Sequence, residues 1–461
     1  MTSEVTANDF LGSCMGAKIN AAVLWLASNP SLIHAGGVIR VKGKNHTAST
    51  MIDLRGTQGV VLKGDGNANS PSPKGCNLQW TGSAGSGPMV DLTDSRGVEL
   101  SGIAFSAGDP YYNDSFLKTG TFTNNVSGLH IHHCAFIGSV NQPQLIGLDT
   151  VVSGEIEHCT FRYGQYHIKA TGPSNNALRI AHCNFDHTAS VAHIGVGNAT
   201  SWTIANCTFQ SENKPAIKLV DWCSNITLDT NWAADIAGNP VTVFDLRGYR
   251  MRAFRIVGNT IVVNNGGTCI ALDGDTMAQS TGGTIENNVL IGSGTAVNLG
   301  ASHGVGVSRN FISTTIPLDY ACAMGRAPTS YTWTNNYIDA SIQGATTKVG
   351  AVLPYGATGI MPLTQNKSTG VAGGIVGSGY VQIMASDCGT GTFRCLGILA
   401  LQHANQSVRI VDDANASFST VKGTANRINV YYDEADNYAG YKMQNLCGTN
   451  FHVVVNSQSP Y

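Results

Sequence analysis

A six-residue pattern, apolar-x-x-(Cys or Asn)-x-apolar, returns nine times along this chain and constrains its fold more than any other feature. It opens with Ile131-His132-His133-Cys134-Ala135-Phe136 and recurs as IEHCTF at 156–161, IAHCNF at 180–185 and IANCTF at 204–209. It continues as LDTNWA at 228–233, IVGNTI at 256–261, IENNVL at 285–290, VSRNFI at 307–312 and WTNNYI at 333–338. LSGIAF at 100–105 is a looser copy, and Leu62 to Asp65 begins one more. The intervals run from 22 to 29 residues, the period of a solenoid rather than of a globular core.

A second short pattern, apolar-x-apolar, precedes each copy by about ten to fifteen residues. It reads Val90-Asp91-Leu92, Ile146-Gly147-Leu148, Ile168-Lys169-Ala170, Ile194-Gly195-Val196 and Ile217-Lys218-Leu219, then Phe244-Asp245-Leu246, Ile270-Ala271-Leu272, Val297-Asn298-Leu299 and Leu318-Asp319-Tyr320. Alternation with period two buries the outer pair and exposes the middle residue. Each repeat is then one coil, and stacked coils bury a face that none can bury alone. The column Cys134, Cys159, Cys183, Cys207, Asn231, Asn259, Asn288, Asn310 and Asn336 marks a turn, where stacked amides satisfy backbone groups and buried thiols replace them. In-register cysteines have parallel Cβ directions, so no disulfide framework is expected there. Cys388 and Cys395 stand where a hairpin bridge is feasible, and the sequence does not decide it.

The expected fold is all-β: a right-handed parallel β-helix of about ten coils over residues 36–345. Residues 1–35 form an N-terminal segment whose stretch 15–28 reads as an amphipathic capping helix with Ile19, Ala22, Val23 and Leu26 on one face. Residues 346–380, rich in Gly and Thr, read as a linker. Residues 381–461 read as a small β-sandwich, from strand signals at 408–411, 427–432, 440–445 and 451–455 and a hairpin loop at 433–439.

Composition narrows the function. Charged residues make up only 12 %, net charge is −2 and there is no long basic run, so nucleic acid is not an expected partner. No apolar stretch is long enough for a membrane span. MTSEVTANDF lacks the basic and apolar regions of a signal peptide.

With these coils laid out, residues 35–345 resemble the pectate-lyase-like β-helix superfamily. ANDFLGSCMGAKINAA followed by GGVIRV looks like the entry segment of many such proteins, phage tailspikes among them. The resemblance implies a protein that acts on or binds a polysaccharide, a homotrimer as in phage tailspikes, and an extracellular or virion-associated location. It implies no particular reaction, because this fold hosts hydrolases, lyases, epimerases, esterases, fructan transferases and adhesins. Diagnostic motifs of pectin methylesterases, polygalacturonases and alginate epimerases are absent.

Candidate chemistry sits on the outward column of the apolar-x-apolar strands, the usual ligand groove of the superfamily. Charge concentrates there between residues 169 and 275. Asp245 and Asp273 are the expected catalytic pair, one coil apart and two residues along, roughly 8 Å at the backbone. That suits an inverting glycosidase. Lys218 and Arg247 flank Asp245 and favour it as base, with Asp273 as acid and Asp275 as its substitute. Substrate contacts are expected from Lys169, Lys218, Arg247, His167, His193, Trp222, Tyr166 and Asp275. A second column two residues on holds Asp149, Thr171 and Arg247.

A lyase is the alternative chemistry, with the cations neutralising a uronate and His167 or His193 as base. No cofactor is expected for a hydrolase, whereas a lyase would admit Ca²⁺ on Asp245, Asp273 and Asp275. A non-catalytic glycan-binding spike and a fructan-transferring enzyme stay open. The column His133, His158 and His182 is read as a structural ladder rather than a metal site, and the metal expectation is none.

Overall fold

The computed structural model describes residues 3–28, 36–65, 75–108, 110, 112–120, 125–186, 190–211, 214–235, 240–272, 280–300, 302–319, 332–338, 347–348, 352–353, 358–360, 365–366, 379–387, 393–402, 407–413, 416–433, 438–446 and 451–458. The chain forms two compact units, Met1–Ile236 and Ala237–Tyr461.

The first unit begins with strand Ser3–Thr6, which pairs in parallel with Gly37–Val41. Helix Met15–Ala27 lies against the first coils and buries Met15, Gly16, Ile19, Ala22 and Leu26, while Val23 is half-buried. The approach is close. A Cβ on Gly16 would stand 2.2 Å from the Thr50 carbonyl oxygen. The expected capping helix is therefore present, held by an apolar face of Met15, Ile19, Ala22 and Leu26 and a close approach at Gly16.

Beyond it, parallel strands stack coil on coil. Val61, Glu99, His130, Glu155, Arg179, Thr203 and Thr227 share one register line. The interior of this stack is ordered by the last apolar residue of the repeat. Phe105, Phe136, Phe161, Phe185 and Phe209 are fully buried, with successive centroids 5.3, 5.1, 4.8 and 4.7 Å apart and planes within 10° of parallel. Burying each ring contributes roughly 2–3 kcal/mol. The residue before each Cys takes left-handed backbone: His133, His158, His182 and Asn206 have φ of 51–54°. His and Asn are among the few side chains that enter this region readily. The cysteines below them are buried free thiols, and Cys134, Cys159, Cys183 and Cys207 each point toward a carbonyl of the preceding coil at 3.6–3.8 Å.

In the second unit the same column is Asn. Asn259, Asn288, Asn310 and Asn336 are buried, and each amide nitrogen from Asn259 to Asn310 donates to the next Asn Oδ1 at 2.8–3.0 Å. The chain then forms two further groups of strands, mainly antiparallel, with Phe418–Ser419 pairing in parallel with Ile428–Asp433. One runs Ser407–Asp413, Phe393–Gln402, Gly379–Asp387, Phe451–Gln458. The other pairs Ile428–Asp433 with Tyr438–Asn445 as a hairpin, flanked by Phe418–Ser419 and Thr358–Ile360. Phe451–Gln458 also pairs with Thr332–Thr334, tying the terminal sheet to the last described coil. All four strand signals read in 381–461 lie in strands. Cys388 lies outside the described residues.

Candidate functional site

The outward column forms in register. In the first unit Asp91, Lys118, Gly147, Lys169, Gly195 and Lys218 occupy successive coils. In the second, Asp245, Ala271, Asn298 and Asp319 do so. Three lysines alternate with glycines, so like charges stand two strand spacings apart, about 10 Å. The glycines are not empty positions. A Cβ on Gly147 would meet Gln144 Nε2 at 2.5 Å, and one on Gly195 would meet the Tyr166 ring at 2.9 Å. Tyr166 therefore packs over Gly195, with Lys169 Nζ 5.0 Å from its centroid, a cation–π contact.

Asp149 is the carboxyl that this face treats differently. It sits where the pairing of Gln144–Glu157 with Tyr166–Ala181 slips register, between Leu148 and Thr150. Such a bulge re-aims a side chain. Its backbone N–H donates to Thr119 Oγ1 at 2.9 Å. Lys118 Nζ is 3.9 Å from Oδ2, and Thr171 Oγ1 donates to Oδ1 at 3.4 Å. Burial pushes the Asp149 carboxyl above the usual carboxylate range. Asp114 adds to that rise, while Lys118, the Thr171 hydroxyl and Lys169 act against it.

Asp245 ends strand Thr242–Asp245, and its side chain is 13 % exposed. Arg247 Nε donates to Oδ1 at 2.5 Å, so the expected Arg247 partnership forms. Asp273 and Asp275, the expected acid and its substitute, lie outside the described residues.

His167 and His193 are not in the groove. They are 0 and 1 % exposed and pack among Phe161, Phe185 and Phe209. The period-two expectation fails because each strand enters at a corner, where His167 and Ile168, and likewise His193 and Ile194, both turn inward. Neither imidazole can reach a polymer, as substrate contact or as base.

Lys169, Lys218 and Tyr166 are half-exposed on the outward face. Trp222 is 58 % exposed on a turn fixed by Asp221, which accepts the Trp222 N–H and the Asn198 amide, both at 2.8 Å. Sequence reasoning passed over Lys118, although the strand Leu117–Lys118 is part of the column. Its coil carries buried Thr119 where the other strands carry an apolar residue, which hides the apolar-x-apolar pattern. Asp149 was visible in the second column, but the bulge that isolates it was not.

The expected His ladder forms. The rings of His133, His158 and His182 stack at 5.1 and 4.9 Å. Among the described residues no helix is long and apolar enough to cross a membrane.

Fold and site together define a parallel β-helix protein with a charged, tyrosine-bearing outward face. Residues 117–281 match the family model described as a right handed beta helix region. A mutant DFA-IIIase from Arthrobacter chlorophenolicus A6, solved in complex with DFA-III, is similar in structure: TM-score 0.51, 11 % identity, covering 70 % of this chain and 87 % of that one. The same enzyme in complex with GF2 gives a TM-score of 0.47 at 11 % identity over 68 and 94 % of the two chains. The ORF18 protein of Geobacillus virus E2 gives 0.49 at 11 % identity over 97 and 85 %. No curated protein sequence matches the chain.

Proposed function

We propose that this protein is a polysaccharide-cleaving enzyme, a glycoside hydrolase that binds an acidic glycan along the outward face and protonates the leaving oxygen from Asp149. The observation that carries the reading is Asp149 itself: a half-buried carboxyl raised above its ordinary range by burial, on a face lined by lysines. A proton donor must hold its proton more tightly than an ordinary carboxyl and release it to an alkoxide, and burial shifts Asp149 in that direction. Lys118, Lys169 and Lys218 supply the charge that retains an anionic chain, and Tyr166 and the exposed Trp222 supply flat faces for sugar rings. The pair Asp245–Asp273, with Arg247 donating to Asp245, stays as a second and separate arrangement of acid and base.

A lyase is the other reading that a specific feature favours, because the lysine column suits neutralisation of a uronate. The imidazole base is removed from it by the burial of His167 and His193. The homotrimer and the extracellular or virion-associated site belong to this proposal as well. The test is a panel of acidic and neutral glycans incubated with the wild-type chain, Asp149→Asn and Asp245→Asn, with products read by mass spectrometry. Saturated fragments lost in Asp149→Asn but not in Asp245→Asn support the main reading. Loss only in Asp245→Asn moves the acid–base pair to the second arrangement. Unsaturated fragments identify a lyase, and retained glycan without fragments identifies a binding spike. Light scattering on the eluting protein measures subunit number.

A further inference from the structure

A different face of the first unit carries a cluster that the glycan reading does not use. Strand Val126–His132 buries Leu129 and Ile131 and turns His130 and His132 outward. Their rings stack at 4.3 Å. On the preceding coil Glu99 is the register partner of His130, and its Oε1 stands 3.0 Å from His132 Nε2. One ligand atom from each of Glu99, His130 and His132 lies within 4.8 Å of the others.

We propose that Glu99, His130 and His132 form a site for a divalent transition-metal ion of the zinc type. Two imidazoles and one carboxylate are the donor set of borderline metals rather than of Ca²⁺ or Mg²⁺. Two ligands on tetrahedral zinc stand about 3.3 Å apart, from bond lengths of about 2.0–2.2 Å. The Glu99–His132 pair is already near that separation, and small rotations about the His130 and Glu99 side chains close the rest.

His133 is placed to set the tautomer of His132. His132 Nδ1 is 2.8 Å from His133 Nδ1. With the single ring proton of neutral His132 placed on Nδ1 and donated to His133, Nε2 turns its lone pair toward the Glu99 carboxylate. In the metal-free protein the other tautomer, with His133 donating to His132 Nδ1 and His132 Nε2–H donating to Glu99 Oε1, satisfies both contacts, and metal binding selects the first. A metal-bound imidazole ordinarily donates its other N–H in this way, and His133 would be the acceptor that sets it.

The remaining acidic groups are engaged. Glu157 Oε1 is 3.1 Å from His130 Nε2 and orients that ring. Arg179 pairs with Glu155 and reaches Glu157 Oε2 at 3.6 Å. Both carboxylates of the neighbouring trio His130, Glu155 and Glu157 are engaged by Arg179. All three ligands are partly exposed, so a hydrated ion reaches them without unfolding a coil.

The test uses the full chain freed of metal with a chelator, then titrated with Zn²⁺ by calorimetry and with Co²⁺ by visible absorption. The expected result is one saturable Zn²⁺ per chain and Co²⁺ bands of low coordination number. His132→Ala and Glu99→Gln should each weaken binding by about tenfold or more, with metal-free circular dichroism unchanged. His182→Ala, in the separate imidazole ladder, should bind as the wild type does. Equal binding by wild type, His132→Ala and Glu99→Gln overturns the site, as does absence of saturable binding in the wild type. Loss in His182→Ala with retention in His132→Ala also overturns it, by moving the ion to the ladder.

Discussion

His193 Nδ1 lies 3.1 Å from His167 Nδ1 on the neighbouring coil, and both imidazoles are buried against the phenylalanine stack. One ring donates and the other accepts, and burial keeps both neutral. Burial pushes His193 down to about 4, and burial with the neighbouring His193 takes His167 well below its ordinary value.

Acid should therefore loosen the first unit. A histidine whose folded pKa is depressed contributes full stability above its unfolded value of 6.5, and loses it as pH falls from there toward the folded pKa. For His193 the loss between pH 7 and pH 5 is about 2 kcal/mol. Urea unfolding at the two pH values measures it. The double variant His167→Leu, His193→Leu should show a much shallower pH slope, and an unchanged slope would remove the pair as its source.

The phenylalanine column should be the most sensitive apolar feature. Phe185 stacks between Phe161 and Phe209 at 4.8 and 4.7 Å and also touches both buried imidazoles. Phe185→Ala leaves a cavity that rigid coils on either side cannot collapse into, at a cost of about 3–5 kcal/mol. Phe185→Leu should cost clearly less. Thermal unfolding of the two variants gives the order, and equal midpoints would show that the stack is not a packed unit.

The coils were legible because a solenoid repeats one local solution. Phe136, Phe161, Phe185 and Phe209 recur at a fixed offset from the Cys column, and each occupies the expected interior place. What the sequence hid was local geometry without periodicity. His167 and Lys169 are two residues apart and share a parity, yet a strand corner sends one inward and leaves the other outside. Asp149 shares a column with Thr171, yet only a slipped register makes it a half-buried acid. Strands Gly379–Asp387 and Phe393–Gln402 lack a repeat to announce them, although they pair with each other, and Gly379–Asp387 finds its second partner far along the chain in Phe451–Gln458.

The asparagine ladder should tolerate no apolar replacement. Asn310 Nδ2 donates to Ile285 O and Asn336 Oδ1, and its Oδ1 accepts from the Asn288 backbone N–H and side-chain amide. Asn310→Ala strands several buried polar groups at once, a loss on the order of 3 kcal/mol or more. Denaturant midpoints should fall accordingly, and hydrogen exchange at the Asn288 amide should accelerate. A variant with wild-type protection there would refute the ladder as a backbone anchor.

Gly172 offers a way to move Asp149 without touching its carboxyl. A Cβ at Gly172 would sit 1.3 Å from the Asp149 carbonyl oxygen, a distance no rotamer change relieves because the obstacle is backbone. Gly172→Ala must displace the bulge that aims Asp149 between Lys118 and Thr171. If Asp149 is the proton donor, this variant should keep the β-helix circular dichroism and glycan binding while turnover falls toward that of Asp149→Asn. The raised carboxyl should also relax toward its ordinary value, which shifts the falling alkaline limb of any remaining activity to lower pH. Full turnover with an unchanged pH profile in Gly172→Ala would show that the position of Asp149 does not govern the reaction.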